Sequence, residues 1–196
     1  MYVPSDEVDF SHKVVMLGSS GVGKTSMVLR LQEKVFKKMI TPTVGSGVFT
    51  KEIETENGKV SLKIWDTAGE ERYKTFTGLY SRSAAAGIIV YDTSDEKTFK
   101  NLDQWLIEFK ENALESAPMF LVGNKIDLSD EREVPIEEGR KFASENKMKF
   151  YEVSAKTGEN IELLFMDIAK ELRPKYLQTD TMVDNVPEPP PTSRCC

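Results

Sequence analysis

The chain is short of cysteine: of 196 residues only the last two, Cys195 and Cys196, are cysteines. A folded body with none cannot be a disulfide scaffold, and its composition suits a reducing compartment. The first ten residues, MYVPSDEVDF, lack a basic stretch followed by an apolar one, so no secretory signal is expected. Apolar runs such as AAAGIIVY are far too short to span a bilayer. Positive charge is also in deficit, with a formal net charge of -6, which argues against nucleic acid as a partner reached by long-range attraction. A single histidine, His12, leaves no basis for histidine-centred metal or acid–base chemistry.

What is present is an ordinary globular composition, 39% hydrophobic and 30% charged, at a length that suits one domain. HKVVMLG reads as a buried strand that runs into a glycine-rich turn. Met27, Val28, Leu31 and Val35 then keep helical spacing. Two extended runs flank Asn57-Gly58, a strong hairpin signal. Taking Asn57 and Gly58 as the turn pairs Glu56 with Lys59 and sets Ile53 opposite Leu62. Val60 and Ile64 then share the face of Leu62, with Val48 and Trp65 on the other.

Beyond the hairpin, strands alternate with helices. AAGIIVYD, MFLVGN and KFYEVS read as strands. Phe99, Leu102, Leu106, Phe109 and Ala113 mark one helix, and residues 137–146 a second. A last helix carries Ile161, Leu164, Phe165, Ile168 and Leu172, with Asn160 as its cap and Pro174 near its end. Alternation of this kind predicts an α/β fold, a mostly parallel six-stranded sheet with helices on both faces. Ligands of such sheets sit beyond the carboxyl ends of the strands. The final stretch, VPEPPPTSRCC, holds four prolines and no core residue, and reads as an extended tail.

The first loop after a strand is GSSGVGKT, Gly18 to Thr25, which fits G-x-x-x-x-G-K-[ST]. Its glycines let successive N–H groups curl around a phosphate chain, and the next helix points its positive end there. Lys24 adds a point charge for the β and γ phosphates, and Thr25 offers a hydroxyl to Mg2+. At average glycine usage the pattern arises by chance in roughly one chain in a hundred or fewer. It does not choose between ATP and GTP. NKID, Asn124 to Asp127, follows another strand and does choose. The Asp127 carboxylate can accept from guanine N1–H and the exocyclic amine, whereas adenine N1 is itself an acceptor. SAK, Ser154 to Lys156, follows the last strand and could give a backbone N–H to the base oxygen.

Together GSSGVGKT, TVG, WDTAGEERY, NKID, SAK and the terminal CC resemble the Rab family of small Ras-like GTPases over essentially the whole chain. The resemblance implies a P-loop G domain over residues 12–176, after an N-terminal extension of residues 1–11 and before a hypervariable tail of residues 177–196. It implies GTP or GDP and Mg2+ as cofactors. Ser19, Ser20, Gly21, Val22, Gly23, Lys24, Thr25 and Ser26 would hold phosphates, and Phe36 would lean on the base edge-on. Asn124, Lys125, Asp127, Ser154, Ala155 and Lys156 would hold the guanine. Thr25, Thr43 and Asp66 (through water) would serve the metal, and the Gly69 N–H the γ-phosphate. Residues 37–48 and 69–82 would be switch segments tethered by Thr43 and Gly69.

Two departures stand out. Val48 replaces the usual phenylalanine of an effector patch completed by Trp65 and Tyr80, which shrinks that patch. Glu70 replaces the usual glutamine that positions the attacking water. An amide can accept from water and donate to phosphate at once, whereas an ionised carboxylate only accepts and adds negative charge. The expectation is therefore slow intrinsic GTP hydrolysis, with Lys24, Gly69 and Glu70 as the catalytic set. The alternative is a GTP-locked scaffold with negligible hydrolysis. A nucleotide kinase is disfavoured by NKID and by the absence of an arginine-rich lid. Cys195 and Cys196 match a double geranylgeranylation site. One lipid chain anchors only marginally, and this acidic tail offers no basic second signal. The resemblance further implies a monomer that regulates vesicle traffic at the cytoplasmic face of endomembranes, leaning towards endosomes. Its partners would be an exchange factor, a GAP, a GDP-dissociation inhibitor holding a cytosolic pool, an escort protein and effectors of the GTP form.

Overall fold

The protein is described from a computed structural model, which defines residues 11–37, 40–56, 58–69 and 77–172. Expectations for Glu70, Asn57, Pro174, Cys195 and Cys196 fall outside those residues, as do the tail and most of the N-terminal extension.

The strands are β1 (Ser11–Leu17), β2 (Ser46–Thr55), β3 (Gly58–Thr67), β4 (Ala86–Asp92), β5 (Met119–Asn124) and β6 (Lys149–Glu152). The helices are α1 (Lys24–Glu33), α2 (Thr77–Ser81), α3 (Glu96–Lys100), α4 (Leu102–Asn112), α5 (Ile136–Glu145) and α6 (Ile161–Leu172). The strands form one six-stranded sheet in the order β2-β3-β1-β4-β5-β6. Only the β2–β3 pair is antiparallel. The mostly parallel sheet expected from the sequence is therefore present.

A period of two along each strand sorts side chains to opposite faces. Val14 and Met16 of β1 join Ile88 and Val90 of β4 under α1 and α6, where Met27, Val28, Leu31, Leu164, Phe165 and Ile168 close the core. Val15, Leu17, Ile89 and Tyr91 face the other way and meet Leu102, Trp105, Leu106 and Phe109 of α4 and Ala143 of α5. Every residue of β4 is buried, as a parallel strand covered on both faces must be. Gly87 lets α4 come close: a Cβ there would lie 2.6 Å from the Phe109 ring.

Four local expectations are corrected. The β2–β3 ladder closes on Thr55 and Gly58, and Ile53 faces Val60 rather than Leu62. A shift of two residues keeps the same side chains on the same face, so hydrophobic pattern cannot detect it. End chemistry decides instead, with the Thr55 hydroxyl donating to the Gly58 carbonyl at 2.7 Å and Gly58 at φ +117°. Val35 lies beyond α1, which stops at a left-handed Lys34 and leaves Val35 exposed. The helix expected from Phe99 to Ala113 is broken at Asn101 (φ -85°, ψ 2°), and the first part is a separate short helix capped by Asp95, which accepts from Lys97 N–H. Asn160 does precede α6, but its side-chain amide donates to the Glu152 carbonyl at the end of β6. The short helix α2, inside the segment expected to be the second switch, had no sequence signal beyond one turn of residues.

Candidate functional site

The carboxyl ends of β1, β3, β5 and β6 converge on one side of the sheet. A cleft of about 600 Å³ opens there, lined by the loop after β1, residues around Phe36 and Thr43, and the segments after β5 and β6.

The first wall is built on glycine. Gly18, Gly21 and Gly23 take φ of +138°, +81° and +96°, a region that side chains rarely tolerate. At two of them the space is also taken: a Cβ on Gly18 would sit 2.2 Å from the Val90 carbonyl oxygen, and one on Gly23 2.3 Å from Asn124 Nδ2. The loop therefore lies directly on β4 and on the residue that ends β5. Gly23 is the N-cap of α1, whose first residue, Lys24, is only 5% exposed. Its ammonium donates to the carbonyls of Gly18 at 2.7 Å and Ser19 at 2.9 Å. Burial pushes its pKa down to about 8, partly offset by Asp66. A buried cation beside a glycine-rich loop is a site that an anion would relieve.

Beside it lies an all-oxygen cluster. Thr25 Oγ1 donates to Asp66 Oδ2 at 2.7 Å and lies 2.9 Å from Thr43 Oγ1. Asp66 is buried, and burial pushes its carboxyl up, against the Thr25 hydrogen bond and the charge of Lys24. Its Oδ1 is buried without a hydrogen-bond partner among the described residues. Two hydroxyls and a carboxylate with an orphaned oxygen fit a hard cation such as Mg2+. No group of three or more His, Cys, Asp or Glu side chains could hold a metal among the described residues. Gly69 closes the wall: a Cβ there would lie 2.5 Å from both Lys24 Nζ and the Ser19 carbonyl.

The opposite wall carries the second recognition set. Asn124 donates from Nδ2 to the Val22 carbonyl at 2.8 Å and accepts from Ala155 N–H at 3.1 Å, so one amide joins three loops. Ser154 Oγ donates to Asp127 Oδ1 at 2.6 Å, and Lys156 Nζ lies 3.2 Å from Asp127 Oδ2. Burial works against the charge on Asp127, but the bonds from Ser154 and Lys156 outweigh it and hold the carboxyl below its usual range. Asp127 is thus an ionised acceptor at neutral pH. Lys125, at φ +70°, pairs with Asp92 at 2.5 Å. Ser154 N–H is engaged by the Glu159 carbonyl, so this member of SAK does not offer a backbone donor to the cleft.

Of the residues singled out from sequence, Ser20, Gly21, Gly23, Lys24, Thr25, Ser26, Phe36, Thr43, Gly69, Asn124, Lys125, Asp127, Ala155 and Lys156 line the cleft. Val22, Asp66 and Ser154 are buried behind it, and Ser19 contributes a carbonyl to Lys24. Sequence reasoning missed Thr67 and Leu128, which also line it, and Asp92, the last residue of β4. Asp92 was findable, since it too ends a parallel strand. Arg30, whose side chain reaches the carbonyls of Ala155 and Lys156, had no local signal.

Outside the cleft, Val48 pairs with Trp65 across the hairpin and is 52% exposed. The Trp65 and Tyr80 rings lie 6.1 Å apart, both half-buried against the second core. The Lys13 ammonium sits 4.5 Å from the Trp65 ring centre and donates to the Arg82 carbonyl at 2.9 Å. The three residues therefore share one surface. No described helix is long and apolar enough to cross a membrane.

Comparison with known proteins points to one family. The family model described as Ras family matches residues 13–174. Ras-related protein Rab-30 of Homo sapiens is 40% identical over 186 residues, covering 95% of this chain and 91% of its own. Ras-related protein RABE1e of Arabidopsis thaliana is 36% identical over 179 residues, covering 91% and 82%. Ras-related protein Rab-11A of Dictyostelium discoideum is 34% identical and covers 97% of each chain.

Proposed function

The chain belongs to the Rab branch of the Ras family of small GTPases, and on that premise we propose which residues run its nucleotide switch, and how fast. The loop from Ser19 to Ser26 wraps the phosphates with its amides. Lys24 sits between the β and γ phosphates, where their charge offsets the cost of its burial. Thr25 and Thr43 would hold Mg2+ with their hydroxyls, and Asp66 would hold it through water. When bound, that ion neutralises phosphate charge and orients the terminal group. Gly69 donates its N–H to the γ-phosphate.

Asn124, Lys125, Asp127, Ala155 and Lys156 grip the base, and Phe36 covers its edge. The observation that carries the choice of guanine is Asp127. Its carboxylate is kept ionised and aimed by Ser154 and Lys156, in the same cleft as the buried Lys24. Two N–H donors on one edge of the ligand satisfy it, whereas adenine would set an acceptor against it.

Loss of the γ-phosphate removes the Thr43 and Gly69 tethers, and the two switch segments relax. Effectors of the GTP form then lose the surface around Val48, Trp65 and Tyr80. Hydrolysis proceeds by an in-line water with no covalent protein intermediate, slowly because Glu70 cannot donate to the γ-phosphate. A GTP-locked scaffold is the second reading, and Glu70 favours it. Two geranylgeranyl groups on Cys195 and Cys196 would hold the protein at the cytoplasmic face of endomembranes, with endosomes favoured.

Calorimetry with Mg2+ and GTP, GDP or ATP tests the assignment. Tight capture of both guanine nucleotides and little of ATP is expected. Equal capture of ATP, or capture of none, would overturn it.

A further inference from the structure

We infer that Arg30, in the last turn of α1 and outside the cleft lining, is the positioning residue that aims the guanine-binding loop and so sets both nucleotide dwell time and base selectivity. The inference rests on the guanine reading above.

The guanidinium of Arg30 serves three backbone carbonyls. Nε donates to Ala155 O at 2.9 Å, Nη2 to Lys156 O, and Nη1 to Lys34 O at 2.5 Å. In a trans peptide the C=O and the following N–H point opposite ways. Holding Ala155 C=O from behind sends the Lys156 N–H towards the cleft that both residues line. Holding Lys156 C=O turns the Thr157 N–H onto Ser154 Oγ, which it meets at 3.0 Å. That oxygen, its lone pair taken by Thr157, donates its proton to Asp127 Oδ1 at 2.6 Å. A relay thus runs from Arg30 through one peptide plane and one hydroxyl to the carboxylate that reads the base.

The third bond ties the relay to α1. Lys34 is the left-handed cap of the helix, and its own N–H returns to the Arg30 carbonyl. Lys34 leads within two residues to Phe36, which lines the cleft. Arg30 therefore fixes the base loop against the segment that covers the base edge. A lysine cannot replace it, because an ammonium has no planar fork to reach several carbonyls in fixed directions.

The test uses the full chain purified with its own nucleotide. Release of GDP and of IDP, whose base lacks the exocyclic amine, is timed for the wild type, Arg30→Met and Arg30→Lys. Methionine keeps the apolar stem, and the lysine variant keeps the charge should Arg30→Met fold poorly. The wild type should retain GDP much longer than IDP. In both variants GDP release should accelerate about tenfold or more, the loss expected for bonds from a charged donor, while IDP release, which shares the Lys156 N–H but offers Asp127 one donor fewer, accelerates less, so that the GDP/IDP ratio falls. Equal acceleration of both nucleotides would mean general loosening and would overturn the role, as would unchanged rates. A wild type that holds neither nucleotide would overturn the guanine reading itself, and this inference with it. A wild type that selects GDP alongside variants that select it equally well would overturn Arg30 alone.

Discussion

Raising the pH from 8 to 10.5 should stabilise the nucleotide-free protein, and Lys24 is the cause. Its pKa falls from 10.5 in the unfolded chain to about 8 in the fold. Between those values the unfolded chain holds a proton that the native state has released. Stability therefore rises with pH across the window, and below pH 8 the full cost of burying the ammonium is present. Each pKa unit corresponds to about 1.4 kcal/mol, so the shift amounts to about 3 kcal/mol. With Lys24 only 5% exposed, solvent screening removes little of this. Denaturant unfolding at pH 7.5, 9 and 10.5, run beside Lys24→Met, isolates the effect because the other titrating groups are common to both proteins. The stability advantage of Lys24→Met over wild type should shrink by about 3 kcal/mol across the series. Bound GDP and Mg2+ should flatten the slope by restoring a counter-charge. A difference that stays constant with pH would refute the claim that Lys24 is held as a strained cation.

The other predictions concern separate parts of the chain. Single-turnover GTP hydrolysis should be at least about tenfold faster in Glu70→Gln than in wild type, and equal rates would remove Glu70 from the mechanism. Gly87→Ala should lower stability by about 1–3 kcal/mol in thermal or chemical unfolding, because its Cβ would meet the Phe109 ring at 2.6 Å; an unchanged melting point would mean that α4 yields freely. Replacing both Cys195 and Cys196 by serine should move the protein from the membrane fraction to the soluble one, and replacing one should leave intermediate binding. Retention of the double variant on membranes would show another anchor.

Much of this was legible in the sequence because the site is made of contiguous motifs. Glycine at Gly18, Gly21 and Gly23 announces left-handed backbone, and the lysine that follows announces an anion. Strand alternation located the sheet, and the rule that ligands sit at strand ends located the cleft. What stayed hidden was either symmetric or distant. The β2–β3 register could slip by two without moving a side chain across the sheet, so only the Thr55–Gly58 end chemistry fixed it. The break at Asn101 left the hydrophobic stripe intact, so periodicity ran straight through it. Arg30 contacts Ala155 and Lys156 across more than a hundred residues of chain, and no local pattern encodes such a contact.

The hairpin end nearest the cleft carries one more consequence. Ser46 pairs with Thr67, and Ala68 N–H donates to the Gly45 carbonyl at 2.8 Å. Gly45 and Ser46 belong to the end of the first proposed switch segment, and Thr67 and Ala68 immediately precede the second. If the two segments switch as proposed, Gly45 and Ala68 part only by losing that clasp, which would couple the two changes. Under that reading, a protein docking against one segment would register the state of both.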